Sequence, residues 1–352
     1  MPAGDGQPSR VGRPTLATVA ASAGVSIATV SKVVNGRTDV GPATRQRIEA
    51  LLKEHDYVAP RREAGRSNGR PTVELVFDGK LNAYGAEIIQ GVLEAAGDLS
   101  VAVATSLRPR GHQQAPQERL TAWARELAGA GRRAVIAVVN DLTAGDLAAL
   151  ARARLPLVVI DPLNLPRARV TSVGSTNFAG GLVATQHLLG LGHRRIAFVG
   201  GPLSAACNQA RMHGFRAAME AEGAPVPEEY IRHGHFMYED GVALGALVLD
   251  LPDRPTAVFA GSDETAAGVI EAARARGLRI PEDLSVVGFD DTQVARFAAP
   301  PLTTVRQPLR EMGGVALRTA LRLAAGEQLD SHHVELATEL VVRHSTAPPS
   351  GA

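Results

Sequence analysis

From residue 72 onward, short β-branched apolar runs alternate with longer stretches in which apolar residues recur every three or four positions. The runs are VELVF (73–77), VAVAT (101–105), AVIAVV (134–139), LVVI (157–160), RIAFVG (195–200), TAVFAG (256–261) and SVVGF (285–289). Uninterrupted apolar runs of this length describe strands buried on both faces, and the helical stretches between them supply the cover. The pattern therefore predicts an α/β fold of doubly wound parallel sheets, with enough strands for two lobes. Ligands of such sheets bind beyond the carboxyl ends of the strands, and two facing lobes bring those ends to one cleft.

Polar residues sit at these ends. Asp78, Asn82 and Tyr84 follow the first run, Asp141 the third, Asp161 the fourth, Ser262 and Asp263 the sixth, and Asp290 and Asp291 the seventh. Any one of them also serves as a helix cap or turn former, which is the reading for Asp263 and Asp291 taken singly. Their shared location makes the set informative. Carboxylates, amides and a guanidinium around an aromatic face suit a neutral polyhydroxylated ligand, because a carboxylate accepts from neighbouring hydroxyls while C–H faces pack on a ring.

The first seventy residues follow a different pattern. Thr15 can cap a helix over Leu16–Ser22, and Ser26 a second one running to about Asn35. A third helix is expected over Pro42–Glu54, with Ile48, Leu51 and Leu52 as its apolar face. Gly24 permits the left-handed turn between the first two, and Ala20, Gly24 and Val30 have helix-turn-helix spacing. With Val30, Val33 and Val34 turned inward, the second helix presents Ile27, Ala28, Ser31 and Lys32. Small apolar side chains suit thymine methyls in the major groove, Ser31 suits a base edge or phosphate, and Lys32 suits guanine or phosphate. Thr15, Ser26, Thr29 and Asn35 are candidates for phosphate contacts that set register.

Charge sharpens the division. The formal net charge of +1 splits at residue 70 into 11 Lys/Arg against 6 Asp/Glu before it, and 26 against 30 after it. A basic head of +5 on a body of −4 implies an anionic partner for the head alone. The opening MPAGDGQPSR has no apolar signal run, and no later run is long enough to cross a bilayer, so a cytoplasmic protein, nucleoid-associated when bound to DNA, is expected. The one cysteine, Cys207, gives no disulfide framework. His332-His333 and His233-x-His235 lack further ligands at metal-binding spacing, and Gly190-x-Gly192 precedes a strand and lacks a third glycine. Neither a metal nor another cofactor is expected, nor an enzyme.

TLATVAASAGVSIATVSKVVNG followed by VGPATRQRIEALLKEHDYV resembles the headpiece of the lactose-repressor (LacI) family of bacterial transcription regulators, down to TVSKVVNG and the closing Tyr57. HLLGLGHRRIAFVGGP, RMHGFRAAM, GLRIPEDLSVVGFDDT and PPLTTVRQPLREMG resemble the effector domain of that family, itself similar to periplasmic sugar-binding proteins. The composition of the ends implies a disordered start (1–13) and a disordered tail (346–352); between them the resemblance implies a DNA-binding domain (14–58), a hinge (59–71) and an effector and dimerisation domain (72–345). The first lobe of the effector domain would take about 72–162 and 306–326, the second about 163–305 and 327–345. Arg211, Asp161, Asp290 and Phe236 fall where the family contacts its effector, and Cys207, Asn208 and Ser262 where it lines the pocket. Cys207 and Ser262 replace residues that are often hydroxyl and amide, which leaves the effector's identity open.

The hinge departs from the family. Pro60 and Arg66 stand where an Asn and a minor-groove Leu wedge are usual, so Arg61, Arg62 and Arg66 are expected to engage the minor groove electrostatically. The implied function is a homodimeric regulator, a repressor of carbohydrate-utilisation genes, on a near-palindromic operator and under the control of a sugar-like effector. A transport receptor would explain the cleft but not the basic head, and a purine effector would keep the regulator while changing the ligand class.

Overall fold

The computed structural model describes residues 16–34, 40–54, 70–78, 81–108, 116–138, 142–162 and 170–350. The chain divides at Gly69/Arg70 into two compact units.

The first unit holds α1 (Leu16–Ala23), α2 (Ile27–Val34) and α3 (Pro42–Glu54). Gly24 takes φ +64°, so a side chain there would strain the backbone, and the Val25 N–H donates to Ala20 O at 3.1 Å to close the turn. Val19, Ala20, Ala23, Val30, Val33 and Ile48 form the core, with Val25, Leu51 and Leu52 against its edge. That packing fixes the rotation of α2, because its buried valines choose which face remains outside.

The second unit contains two sheets. The first, in the order β11-β5-β4-β3-β1-β2, joins β1 (Thr72–Asp78), β2 (Ala102–Arg108), β3 (Arg132–Val138), β4 (Leu157–Ile160), β5 (Thr171–Ser175) and β11 (His333–Leu336), all parallel. The second, in the order β12-β10-β9-β8-β6-β7, joins β6 (Ile196–Gly200), β7 (Ile231–His233), β8 (Ala257–Ala260), β9 (Ser285–Asp290), β10 (Thr303–Arg306) and β12 (Glu339–Val341). Only β12, at an edge, runs antiparallel to its neighbour.

Helices α4 (Ala83–Asp98), α5 (Gln117–Gly129), α6 (Ala144–Arg152) and α12 (Leu309–Ala324) clothe the first sheet. Helices α7 (Asn177–Gly190), α8 (Ala206–Ala221), α9 (Tyr238–Leu249) and α10 (Asp263–Arg274) clothe the second, and a short α11 (Gln293–Phe297) follows β9. Val158, Val159 and Ile160 of β4 and Val286, Val287 and Phe289 of β9 are fully buried, as strands covered on both faces must be.

Two expected boundaries are corrected. Thr171–Ser175 and His333–Leu336 pair with each other in the first sheet, so that lobe continues past residue 162 and takes back part of 327–345. Both segments are too polar to read as doubly covered strands: β11 is an edge, and β5 carries hydroxyls that bond side chains of the neighbouring segment, Ser172 Oγ to His333 Nδ1 at 3.0 Å. The chain thus passes between lobes at 175–177, 306–309 and 336–339.

The tail expected to be disordered over 346–352 is docked through Thr346 and Ala347. The Ala347 N–H donates to Ser285 Oγ at 3.0 Å, Ala347 O lies 2.9 Å from His193 Nε2, and Thr346 Oγ1 lies 3.0 Å from His187 Nε2. Residues 1–15 lie outside the described residues.

Candidate effector site and DNA-reading surface

On α2 the Ser26 hydroxyl accepts the Thr29 N–H at 3.1 Å, which caps the helix as its sequence implied. Ile27 is 53% exposed, and Ala28 and Lys32 are exposed beside a partly covered Ser31. These four share the face opposite Val30 and Val33, and Thr29 stands beside them at the capped end. A short helix with small side chains at its N-terminus and a cation one turn later presents what the major groove accepts. Thr15, Asn35, Tyr57, Arg61, Arg62 and Arg66 lie outside the described residues.

In the second unit, the carboxyl ends of both sheets border one cavity of about 540 Å³. Nine of the anticipated residues line it: Asp78, Asn82, Tyr84, Asp161, Cys207, Arg211, Phe236, Ser262 and Asp290. The first lobe contributes a phenol–carboxylate pair, Tyr84 Oη donating to Asp161 Oδ2 at 2.7 Å. The second contributes Arg211, which stacks at 3.8 Å on the centroid of Phe289, with Phe236 at 5.4 Å and Asp290 Oδ1 at 3.8 Å. Arg211 Nε donates to Asn177 Oδ1 at 2.8 Å and its Nη1 to Gly261 O at 2.6 Å, so the guanidinium is held before any ligand arrives.

Close helix packing sets these positions. A Cβ on Gly181 of α7 would stand 2.2 Å from Arg211 O, and a Cβ on Gly201 would stand 2.2 Å from the Phe236 ring. The glycines let α8 and the Phe236 turn approach the cavity. Asp161, Phe236 and Asp290 themselves adopt φ of +44°, +65° and +119°, backbone that side-chain-bearing residues rarely take and that a surrounding structure must hold in place.

Burial dominates the electrostatics. It raises Asp161 above the usual carboxylate range against the opposing pull of Arg211 and the Tyr84 hydrogen bond. Burial likewise pushes Asp290 well up against the pull of Arg211, and together with Asp161 it raises the Tyr84 phenol. The Cys207 thiol is pushed up to about 11 by burial, so it meets a ligand as a neutral soft surface and not as a nucleophile. Fixed donors, acceptors and a flat aromatic face bind polar, ring-shaped molecules.

Two anticipated residues face away. Asn208 Oδ1 accepts the Gly201 N–H at 2.8 Å and so braces the loop after β6. Asp263 accepts from the Thr292 N–H at 2.7 Å, from the Thr292 hydroxyl at 3.0 Å and from Thr304 at 2.6 Å, stitching α10 to its sheet. Asp291 is fully buried between Arg306 and Arg343. Asp141 lies outside the described residues.

The lining also includes Phe77, His235, Met237, Glu239, Asp240, Glu264 and Thr292, which the strand-end rule missed. His235 to Met237 come from the turn after β7, a three-residue strand with no apolar run to announce it, and Glu239 and Asp240 from the first turn of α9 that follows. Glu264 directly follows the anticipated pair Ser262-Asp263 and is detectable on that ground. Among the described residues no cluster of His, Cys, Asp and Glu fits a metal, and no helix is long and apolar enough to cross a membrane.

Comparison with known proteins bears on both units. Residues 15–59 match the model of bacterial regulatory proteins of the lacI family, and residues 185–346 that of the periplasmic binding protein-like domain. The HTH-type transcriptional regulator DegA of Bacillus subtilis (strain 168) is 35% identical over 339 residues, covering 95% of this chain and 98% of its own. A solved transcriptional regulator CelR–cellobiose complex is 35% identical, with a TM-score of 0.71 over 95% of this chain and all of that one. A lac repressor dimer bound to operator and the anti-inducer ONPF is 27% identical, with a TM-score of 0.69 over 96% of this chain and all of its own. A helix-turn-helix head, a two-lobed body and matches over nearly the whole length lead to one conclusion: the chain belongs to the LacI family of bacterial regulators, and is a DNA-binding transcriptional regulator rather than an enzyme.

Proposed function

We propose that this regulator represses carbohydrate-utilisation genes in the cytoplasm, at the nucleoid, as a homodimer whose operator affinity is set by a neutral sugar held between its lobes. The observation that carries the reading is the composition of the cavity: Tyr84–Asp161 from one lobe faces Arg211–Asp290 from the other, with Phe236 and Phe289 offering ring faces. Carboxylates accept from vicinal hydroxyls, a fixed guanidinium donates to ring or glycosidic oxygens, and C–H faces stack on phenyl rings. The similar CelR structure contains cellobiose, which makes that disaccharide the first sugar to test.

A single α2 reads only a few base pairs, so two copies on a near-palindromic site supply the affinity and specificity that one lacks. The lac repressor neighbour is a dimer on its operator. Arg61, Arg62 and Arg66 are proposed to add minor-groove electrostatic contacts in place of an apolar wedge. A ligand that binds one arrangement of the lobes better than another shifts operator affinity by its differential binding, commonly about 1–3 kcal/mol.

Calorimetric titration of the full chain with cellobiose, and then of its operator complex, tests the proposal. Saturable binding that changes operator affinity supports it. Binding of a purine with no sugar response would replace the effector class.

A further inference from the structure

One interaction in the cavity wall joins the lobes away from the three strand crossings. Glu264 Oε1, in the first turn of α10, accepts the Ala83 N–H at 2.9 Å, at the first residue of α4. Ala83 belongs to the first lobe and Glu264 to the second, 181 residues apart. The N-terminus of α4 is thus shared by two acceptors. Asn82 Oδ1 takes the Gly85 N–H from within the lobe at 2.9 Å, and Glu264 takes the Ala83 N–H from across the cleft. A carboxylate is the strongest acceptor for such an orphan donor, because hydrogen bond and helix dipole act together.

The bond's position matters more than its strength alone. Ala83 directly precedes Tyr84, whose hydroxyl holds Asp161, and Glu264 lies two residues beyond Ser262; all of them line the cavity. Holding Glu264 on α4 therefore fixes the distance between the Tyr84–Asp161 pair of one lobe and the Arg211–Asp290 pair of the other.

We propose that Glu264 is a positioning residue that fastens the two lobes across the mouth of the cavity, so that cleft closure and the affinity for a bound sugar are coupled through its bond to the Ala83 N–H. This rests on reading the cavity as the sugar site, and its test has an arm that does not. Glu264 acts on the ligand through α4 and not by touching it.

The donor can be removed without touching the acceptor. Ala83 is the first helical residue, where proline is well tolerated, and Asn82 before it is extended at φ −127°, ψ −178°, as a residue preceding proline must be. Ala83→Pro therefore deletes the N–H while leaving the helix and Glu264 intact.

Two measurements on the full chain decide the matter. In the ligand-free protein, Ala83 amide exchange should be slow and become about tenfold or more faster in Glu264→Ala, with Glu264→Gln between them. Titration with cellobiose should show Glu264→Ala and Ala83→Pro weakening binding by a similar factor, about tenfold, and the double variant binding no more weakly than either single one. An Ala83 amide that exchanges no faster in Glu264→Ala overturns the proposal. So does weakening by Glu264→Ala without weakening by Ala83→Pro, because Glu264 then touches the sugar itself. Should cellobiose not bind the unaltered chain, the sugar reading falls while the exchange comparison still decides whether Glu264 fastens α4.

Discussion

The Gln307 side-chain amide donates to Asp290 Oδ1 at 2.6 Å, while its carbonyl oxygen accepts from Ser175 Oγ at 2.6 Å. Asp290 lines the cavity, Ser175 ends the strand where the chain leaves the first lobe, and Gln307 lies where it returns. Any ligand that alters the bonding of Asp290 thus acts on two of the three crossings through one side chain. Gln307→Leu keeps the volume but leaves two buried polar groups without this partner. It should lower stability by about 1–3 kcal/mol and blunt the change in operator affinity caused by sugar, read by denaturant unfolding and by operator titration with and without ligand.

Arg211 is the buried cation to which Asp290 and the cavity's rings are fitted. Arg211→Met strips the positive charge from beside Asp290 and should cost about 3–5 kcal/mol of stability and abolish sugar binding, while operator binding persists without sugar response. Adding Asp290→Asn should restore part of the stability and none of the binding, because the uncompensated charge has gone with its partner. Unfolding and calorimetry on both variants check this.

Asp263 gives a pH signature of known sign. Burial pushes its carboxyl up from an ordinary 3.8 to about 7, against three hydrogen bonds that favour the charged form. A carboxyl raised on folding contributes stability that is complete below 3.8 and is lost as pH rises through 7. Half-buried His187 and buried His193, lowered by desolvation, act in the opposite direction, contributing stability that is lost as pH falls below their ordinary range. Comparison with Asp263→Asn isolates the carboxyl. Over pH 4 to 7 the unaltered chain should lose stability relative to that variant by up to about 1 kcal/mol per pH unit; melting curves across the range read the difference.

Much of this was legible in the chain. All seven apolar runs became strands, six of them buried on both faces as their composition implied; β2, at the edge of the first sheet, is only partly buried. The polar strands β5 and β11 and the three-residue β7 did not announce themselves, and with them went the lobe boundaries and the His235–Met237 turn that leads into α9. The valines of α2 revealed its outward face, since 3.6-residue periodicity leaves only one choice. The roles of Asn208 and Asp263 were not legible: nothing in a family pocket position or at a strand end distinguishes a side chain aimed at a ligand from one aimed at a neighbouring loop. Gln307 and Asn177, which anchor Asp290 and Arg211, are single amides whose importance arises only from tertiary contact.

Lys32 is exposed on the outward face of α2. Lys32→Ala should weaken operator binding and reduce the slope of log affinity against log salt by about one if the ammonium sits on a phosphate. An unchanged slope with relaxed preference at one base pair would instead assign it to a guanine edge. Titrations at several salt concentrations on matched and single-mismatch duplexes separate the two.

The central claim is that α2 reads duplex DNA in two copies and that occupancy of the cavity governs the reading. Selecting duplexes bound by the full chain from a random pool, then repeating the selection with cellobiose and other neutral sugars, tests both halves at once. The account predicts a near-palindromic site with half-sites about one helical turn apart, whose recovery changes sharply with one of the sugars. Equal, weak retention of every duplex, whatever small molecule is added, would contradict it.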